Sequence, residues 1–155
     1  MEKHTLNIDY QILDIRDLSA QDKELLSIAW QELEKSYSPY SHFKVSCAVR
    51  TTTDEIFVGC NQENIAYPSG LCAERVALFS AGAKNKIPLT LFIVAKNEKN
   101  EIASAFPCGA CRQVMSEFQN NISKQKIKIM VLTGEEKIMC FNDVDSLLPF
   151  GFDFA

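Results

Sequence analysis

Apolar and polar residues alternate through residues 4–13, a period of two that favours an edge strand or a strand-like arm within residues 1–18. The period then changes to that of a helix. Ser19 has the chemistry of an N-cap, and the pattern after it predicts an amphipathic helix to about Tyr37, before Pro39. The apolar positions of this helix are Leu25, Leu26, Ala29, Trp30 and Leu33.

Five apolar runs farther along the chain predict five strands, at residues 43–49, 56–60, 89–95, 127–132 and 138–141. The first two form a hairpin across a polar turn at residues 51–54. Helices are predicted from about residue 72 to 83 and from 108 to 118, with a last helical turn at 145–148. Strands interleaved with helices indicate a three-layer α/β/α domain with a five-stranded mixed sheet. We expect residues 1–155 to form one domain, with its ligand site where helix N-termini meet strand ends.

Composition narrows the choice of ligand. The chain has 155 residues, 46% of them hydrophobic, and a formal net charge of -4. It therefore has no basic stripe for nucleic acid or an anionic membrane, and a small neutral or zwitterionic ligand fits better. We expect no bilayer span and no targeting leader, which favours the cytoplasm. In that compartment six cysteines are metal ligands, catalytic groups or buried thiols rather than a disulfide framework.

Three of the cysteines lie at predicted helix starts. Cys108 and Cys111 form a CxxC pair at one start, and Cys72 lies at the other. A helix N-terminus lowers the pKa of a thiol and stabilises a thiolate, and residues three apart project from the same side of the first turn. The pair alone is also compatible with a redox motif or with two buried thiols.

A third cysteine followed by a glutamate favours a catalytic metal site. Three protein ligands leave the fourth tetrahedral position of zinc to water, and that water needs a proton acceptor. Glu74 is the nearest candidate, although an acidic residue in a first helical turn often only complements the helix dipole. Because residues two apart do not share a helix face, Cys72 and Glu74 can both address the metal only at a helix tip.

Several motifs together resemble the short, three-cysteine, zinc-binding cytidine deaminases. The two signatures are Cys-Ala-Glu-Arg at residues 72–75 and Pro-Cys-Gly-Ala-Cys-Arg-Gln at residues 107–113. The likeness extends, in the family's order, to residues 37–43, 59–64, 66–68 and 147–150, and so covers most of the chain.

The resemblance implies conversion of cytidine and deoxycytidine to their uracil counterparts, as in pyrimidine salvage, by a zinc-bound hydroxide that attacks C4 of the base. It implies Zn²⁺ bound by Cys72, Cys108 and Cys111, and Glu74 as the proton shuttle. The substrate contacts carried over are Asn61 and Glu63 on the sugar 3′-hydroxyl, Phe43 on the base, and Tyr67 near the pocket and subunit boundary.

Two further expectations follow from the resemblance. Arg75 would hydrogen-bond the sulfurs and withdraw charge from a zinc ion held by three thiolates, or else lie on the surface of its helix. The family is homotetrameric, and Phe150 and Phe152 are candidates to reach a neighbouring subunit's site. The expected partners are thus a small nucleoside and three further copies of the chain.

The chain departs from the family pattern at Ser46 and Cys47, where glycine and alanine are common, and at Phe106, where a small hydroxyl residue is common. Phe106 is expected to alter the shape of the pocket but not the reaction. The cysteines outside the metal site, Cys47, Cys60 and Cys140, are interpreted as buried thiols.

Three other functions remain to be compared with nucleoside deamination. A deaminase of a modified cytosine antibiotic shares the three-cysteine site, but the sugar pair argues against it. A polynucleotide-editing deaminase conflicts with the acidic charge. A purely structural zinc protein would lack the glutamate or the open position.

Overall fold

A six-stranded mixed sheet runs through the molecule in the order β1-β6-β5-β4-β2-β3. The computed structural model describes residues 1–153. The strands are β1 (Gln11–Asp14), β2 (Lys44–Thr51), β3 (Ile56–Cys60), β4 (Pro88–Lys96), β5 (Lys128–Leu132) and β6 (Lys137–Phe141). Strands β4 and β5 are parallel, and the other neighbours in the sheet are antiparallel.

The sheet has six strands rather than the five predicted for it, because the N-terminal arm, expected to be an edge strand or strand-like, joins it as β1. The arm pairs with β6 over only four residues, from Gln11 opposite Cys140 to Asp14 opposite Lys137. The alternation at residues 4–10 therefore does not become strand. Residues 4–10 are all exposed, so their alternating pattern does not place an apolar face against the core.

Three helices cover the two faces of the sheet: α1 (Ala20–Glu32), α2 (Ala73–Gly82) and α3 (Gly109–Ser116). Helix α1 packs on one face through Leu25 and Ala29, while α2 and α3 pack on the other through residues such as Leu78 and Met115. The predicted α/β/α layering is confirmed. Because β4 and β5 are parallel, the chain must cross over between them, and α3 lies in that crossover.

Helix ends differ from the prediction in two places. Helix α1 begins after Ser19, whose hydroxyl accepts a hydrogen bond from Asp22 N at 3.1 Å, but it ends at Glu32 and a 3₁₀ turn follows. The expected extension to Tyr37 is absent because Tyr37 forms a β-bridge with Gln62. Helix α3 changes to a π-helical segment at Glu117–Ser123.

Near the end of the described chain, residues 144–148 make one turn, closed by Leu148 N donating to Val144 O at 2.9 Å. Among residues 1–153, none of the helices combines the length and apolarity that a membrane span requires.

Candidate active site

The N-termini of α2 and α3 bring three thiols together at one end of the sheet. Cys72 is the N-cap of α2, Cys108 is the N-cap of α3, and Cys111 lies in the first turn of α3. Cys72 Sγ is 3.7 Å from Cys108 Sγ, which is 3.4 Å from Cys111 Sγ. All three sulfurs lie within 4.8 Å of one another.

These separations fit a tetrahedral zinc ion. Two thiolates bound at about 2.3 Å with tetrahedral angles stand roughly 3.8 Å apart. Within residues 1–153, one group of at least three His, Cys, Asp or Glu side chains is close enough to hold a metal ion. It consists of these three cysteines, so it supplies three ligands. A site with three protein ligands keeps its fourth position for water or substrate, as catalytic zinc sites do.

Electrostatic contacts favour a thiolate at Cys72. Interaction with the Cys111 thiol, aided by the Arg75 guanidinium and opposed by burial, lowers the pKa of Cys72 to about 5. Arg75 Nη2 lies 3.8 Å from Cys72 Sγ, in agreement with the expectation that it contacts a sulfur. The Cys72 contact, with burial, raises the pKa of Cys111, so adjacent thiolates require a cation between them.

Glu74 is the second residue of α2 and lies beside the thiols at the helix tip, as the two-residue spacing from Cys72 requires. Its side chain is only 4% exposed. An acid that merely complemented the helix dipole would lie in solvent, whereas burial here raises the pKa of Glu74 to about 7. A buried carboxyl of this kind is suited to accept and release protons near neutrality.

A cavity of about 550 Å³ opens above the thiols. It brings together all but one of the nine residues predicted for the chain's own site: Phe43, Asn61, Glu63, Tyr67, Cys72, Glu74, Arg75 and Cys108. The exception, Cys111, is buried and adjoins the cavity through its contacts with Cys72, Cys108 and Glu74.

Most of the hydrogen-bonding capacity of the Asn61 side chain is taken up by other groups of the protein. Its Nδ2 donates to Phe43 O at 2.9 Å, and its Oδ1 accepts from Val45 N at 2.8 Å and from the Ser36 hydroxyl. A carboxamide has two N–H donors and two acceptor sites. One N–H group of Asn61 therefore remains for a ligand.

Glu63 retains an acceptor site, which complements the remaining N–H donor of Asn61. Its Oε2 accepts from Tyr40 N at 2.9 Å and from Ser41 N at 3.3 Å, and its Oε1 accepts from the Ser41 hydroxyl. A carboxylate offers about four acceptor sites, so about one remains. Asn61 and Glu63 can thus present one donor and one acceptor to a hydroxyl group in the cavity.

Aromatic side chains form the cavity's upper wall. Phe43 lines it, and Tyr67, 76% exposed, meets the ring of Tyr40 edge-on with centroids 6.1 Å apart. The unusual Phe106 also lies on the wall, whereas Ser46 and Cys47 are buried on β2 outside it. Cys60 and Cys140 are buried as well, so the interpretation of all three remaining cysteines is confirmed.

Sequence reasoning missed two side chains that hold the site in place. Arg112 Nε donates to Pro107 O, just before Cys108, at 2.8 Å. Gln113 pairs with the backbone of Phe152: its Nε2 donates to the Phe152 carbonyl at 2.8 Å and its Oε1 accepts from the Phe152 N–H at 3.0 Å. Their place in the motif at residues 107–113 was a signal, but their backbone partners could not be read from it.

Comparisons with a sequence family, with curated proteins and with solved structures all match this chain to one family. Residues 19–127 match the sequence profile of the cytidine and deoxycytidylate deaminase zinc-binding region. The chain is 36% identical over 120 residues to the cytidine deaminase of Mycoplasma genitalium, covering 77% of this chain and 86% of that protein. It is 36% identical over 108 residues to the cytidine deaminase of Sporosarcina psychrophila, covering 70% and 72% of the two chains. The crystal structure of cytidine deaminase from Burkholderia pseudomallei superimposes with a TM-score of 0.73 at 33% identity, over 87% of this chain and 100% of that one.

Proposed function

Because the chain belongs to the zinc-binding cytidine and deoxycytidylate deaminase family, and is thus a zinc-dependent hydrolytic deaminase, we propose that it acts on both cytidine and deoxycytidine. Its products are then uridine and deoxyuridine, as in pyrimidine salvage. One observation carries the proposal: a buried carboxyl, Glu74, lines a nucleoside-sized cavity together with two of the three clustered thiols.

Zn²⁺ would be held by Cys72, Cys108 and Cys111, whose sulfur spacing suits it. When bound, zinc supplies Lewis acidity that makes water a nucleophile near pH 7. Three thiolates give the centre excess negative charge. The guanidinium of Arg75, 3.8 Å from Cys72 Sγ, offsets part of it and keeps that sulfur oriented.

Glu74 moves the protons of the reaction. Hydrolytic deamination adds a water oxygen to C4 of the pyrimidine and breaks the bond from C4 to the exocyclic nitrogen, which leaves as ammonia. Glu74 accepts a proton from the water and passes it to N3, and then carries the remaining hydroxyl proton to the exocyclic nitrogen. Its burial excludes bulk water that would compete for these transfers.

The remaining cavity residues orient the nucleoside. The Phe43 ring packs on the base and shields it from water, with Tyr67 at the cavity mouth. The free N–H of Asn61 donates to the sugar 3′-hydroxyl, and that hydroxyl donates to the open acceptor site of Glu63. Recognition of this hydroxyl disfavours free cytosine and is consistent with both ribose and deoxyribose.

We propose in addition that residues 1–155 act as one domain within a homotetramer, with Phe150 or Phe152 reaching a neighbouring site. Phe150 is 91% exposed and Phe152 is 69% exposed, while Gln113 fixes the backbone of Phe152 close to α3. A reducing compartment such as the cytoplasm suits the six free thiols. Light scattering combined with activity measurements tests the assembly, and a fully active monomer would reject it.

Turnover of matched substrates tests the proposed activity. We expect zinc-loaded protein to process cytidine and deoxycytidine, and to process cytosine at least about tenfold less efficiently because Asn61 and Glu63 then lack their partner. Equal kcat/KM for cytosine and cytidine would reject the sugar contact. Preference for a modified cytosine antibiotic over cytidine would assign the chain to that related activity instead.

A further inference from the structure

The segment that carries Phe43 is fixed to the rest of the protein by hydrogen bonds to the residues proposed to bind the sugar. Residues 36–43 contain no helix or strand longer than a single bridge. The backbone of Tyr37 bonds to residues 61–63 on both sides: Tyr37 N donates to Asn61 O at 3.0 Å, and Glu63 N donates to Tyr37 O at 2.8 Å. The position of the loop thus depends on residues 61–63.

One hydroxyl in residues 36–43 bonds both to a residue proposed to bind the sugar and to the residue proposed to pack on the base. Ser41 Oγ donates to Glu63 Oε1 and accepts from Phe43 N at 3.0 Å. Glu63 is assigned to the sugar and Phe43 to the base. Both of them line the cavity, whereas Ser41 is outside the set of described residues that line it.

We propose that Ser41 is a positioning residue, which holds the Glu63 carboxylate with its open acceptor site toward the sugar 3′-hydroxyl. This inference rests on the proposed function, because it assumes that Glu63 binds the sugar. Without the Ser41 hydroxyl, Glu63 Oε1 loses the partner that sets its rotation. The two backbone donors, Tyr40 N and Ser41 N, both lie on the other oxygen and do not orient Oε1 by themselves.

The charge of Glu63 is consistent with this role. Burial raises the pKa of its carboxyl, but the Ser41 hydroxyl and the Tyr40 and Ser41 backbone N–H groups outweigh that effect and lower it below the usual value. Glu63 is therefore a carboxylate at neutral pH. It accepts from the sugar hydroxyl and does not compete with it as a donor.

The matched substrates for the test are deoxycytidine and 2′,3′-dideoxycytidine, which differ only in the 3′-hydroxyl. We expect Ser41→Ala to raise KM for deoxycytidine about tenfold, the effect of one misplaced charge-assisted hydrogen bond, and to change KM for the dideoxy substrate less than about twofold. Ser41→Thr keeps the hydroxyl and should restore most of the difference. Ser146→Ala removes an equivalent bond from a serine hydroxyl to Asp143, 2.7 Å long and outside the cavity, and should leave both KM values unchanged.

The outcomes distinguish failure of the Ser41 role from failure of the sugar contact or of the proposed function. An equal loss for both substrates, or no loss for either, would show that Ser41 does not position Glu63. If Ser41→Ala does not fold, Ser41→Cys, which retains a weak donor, must show the same selective rise in KM, and an unselective change overturns the proposal. If wild-type protein fails to distinguish the two substrates, the sugar contact itself is wrong and the role of Ser41 is rejected with it. If wild-type protein deaminates neither, the proposed function fails.

Discussion

Arg112 Nη1 donates a hydrogen bond of 2.8 Å to the carbonyl of Leu147, while Nε of the same guanidinium donates to Pro107 O. One side chain thereby joins the residue before Cys108 to the segment that leads to the C-terminus. Both carbonyl groups belong to buried residues. The start of α3, and with it two thiols of the metal site, depends on this bridge.

Arg112→Ala should therefore destabilise the zinc-loaded protein by about 1–3 kcal/mol, because it leaves two buried acceptors without partners. Urea unfolding with a fluorescence readout measures the change. Arg16→Ala is the control, since the Arg16 side chain is exposed and its ion pair with Asp14 lies at the surface, so this variant should have little effect. Equal midpoints for the two variants would show that the bridge contributes nothing.

Gly59 on β3 allows α2 to pack closely on the sheet. A Cβ atom at Gly59 would lie 2.5 Å from both Ala73 O and Ala77 N, which are helix backbone atoms. Gly59→Ala should displace α2, which carries Cys72 and Glu74. It should destabilise the protein by about 1–3 kcal/mol and lower its zinc content. Thermal melting and zinc analysis provide the measurements.

Gly109→Ala is the contrasting variant, because a Cβ there meets no atom within 4 Å. It should keep both its melting temperature and its zinc, although it lies inside the CxxC motif. A well-tolerated Gly59→Ala, or a destabilising Gly109→Ala, would contradict the packing argument.

How far the sequence predicts this protein depends on how local the information is. The thiol site was predictable because a three-residue spacing at a helix start determines where two sulfurs point, and the structure brings Cys72 to the same place. The alternation at residues 4–13 predicted an edge strand or a strand-like arm, but it does not show that only Gln11–Asp14 pair with β6.

Long-range side-chain contacts were not predictable. Asn61 and Glu63 were predicted from the resemblance to bind the sugar, but not to anchor a loop about 20 residues earlier in the chain. The π-helical segment likewise depends on distant partners, since Gln119 Oε1 accepts from Ile127 N at 3.1 Å and from Val144 N at 3.0 Å. The helical periodicity of the sequence does not indicate those contacts.

The lowered pKa of Glu63 predicts how sugar recognition depends on pH. Because the carboxylate form persists below its usual pKa of 4.5, the 3′-hydroxyl contact should remain intact as pH falls from 8 to about 5 and weaken only below 4.5. The ratio of kcat/KM for deoxycytidine to that for 2′,3′-dideoxycytidine isolates this contact, since the metal and Glu74 act on both. A ratio that falls with a midpoint above pH 5 would contradict the prediction.

Removing one thiol should separate metal binding from the other functions of the site. Cys72→Ala opens the coordination shell, so zinc content should fall well below one per chain, and the melting temperature should fall with it. Cys140→Ala removes a buried thiol on β6, away from the site, and should retain its zinc. Native mass spectrometry reads the zinc content directly. Full zinc occupancy in Cys72→Ala would exclude this cysteine as a ligand.

The proton-transfer role of Glu74 is the central claim, and steady-state deamination of cytidine by Glu74→Gln tests it most directly. The glutamine keeps the shape of the buried side chain but cannot carry a proton, and it leaves all three thiols in place. At a zinc content matched to wild type, we predict that kcat falls by about 10⁴, the upper end for a positioned acid–base group, because Glu74 serves several transfers. Near-normal turnover by zinc-loaded Glu74→Gln would contradict the assignment.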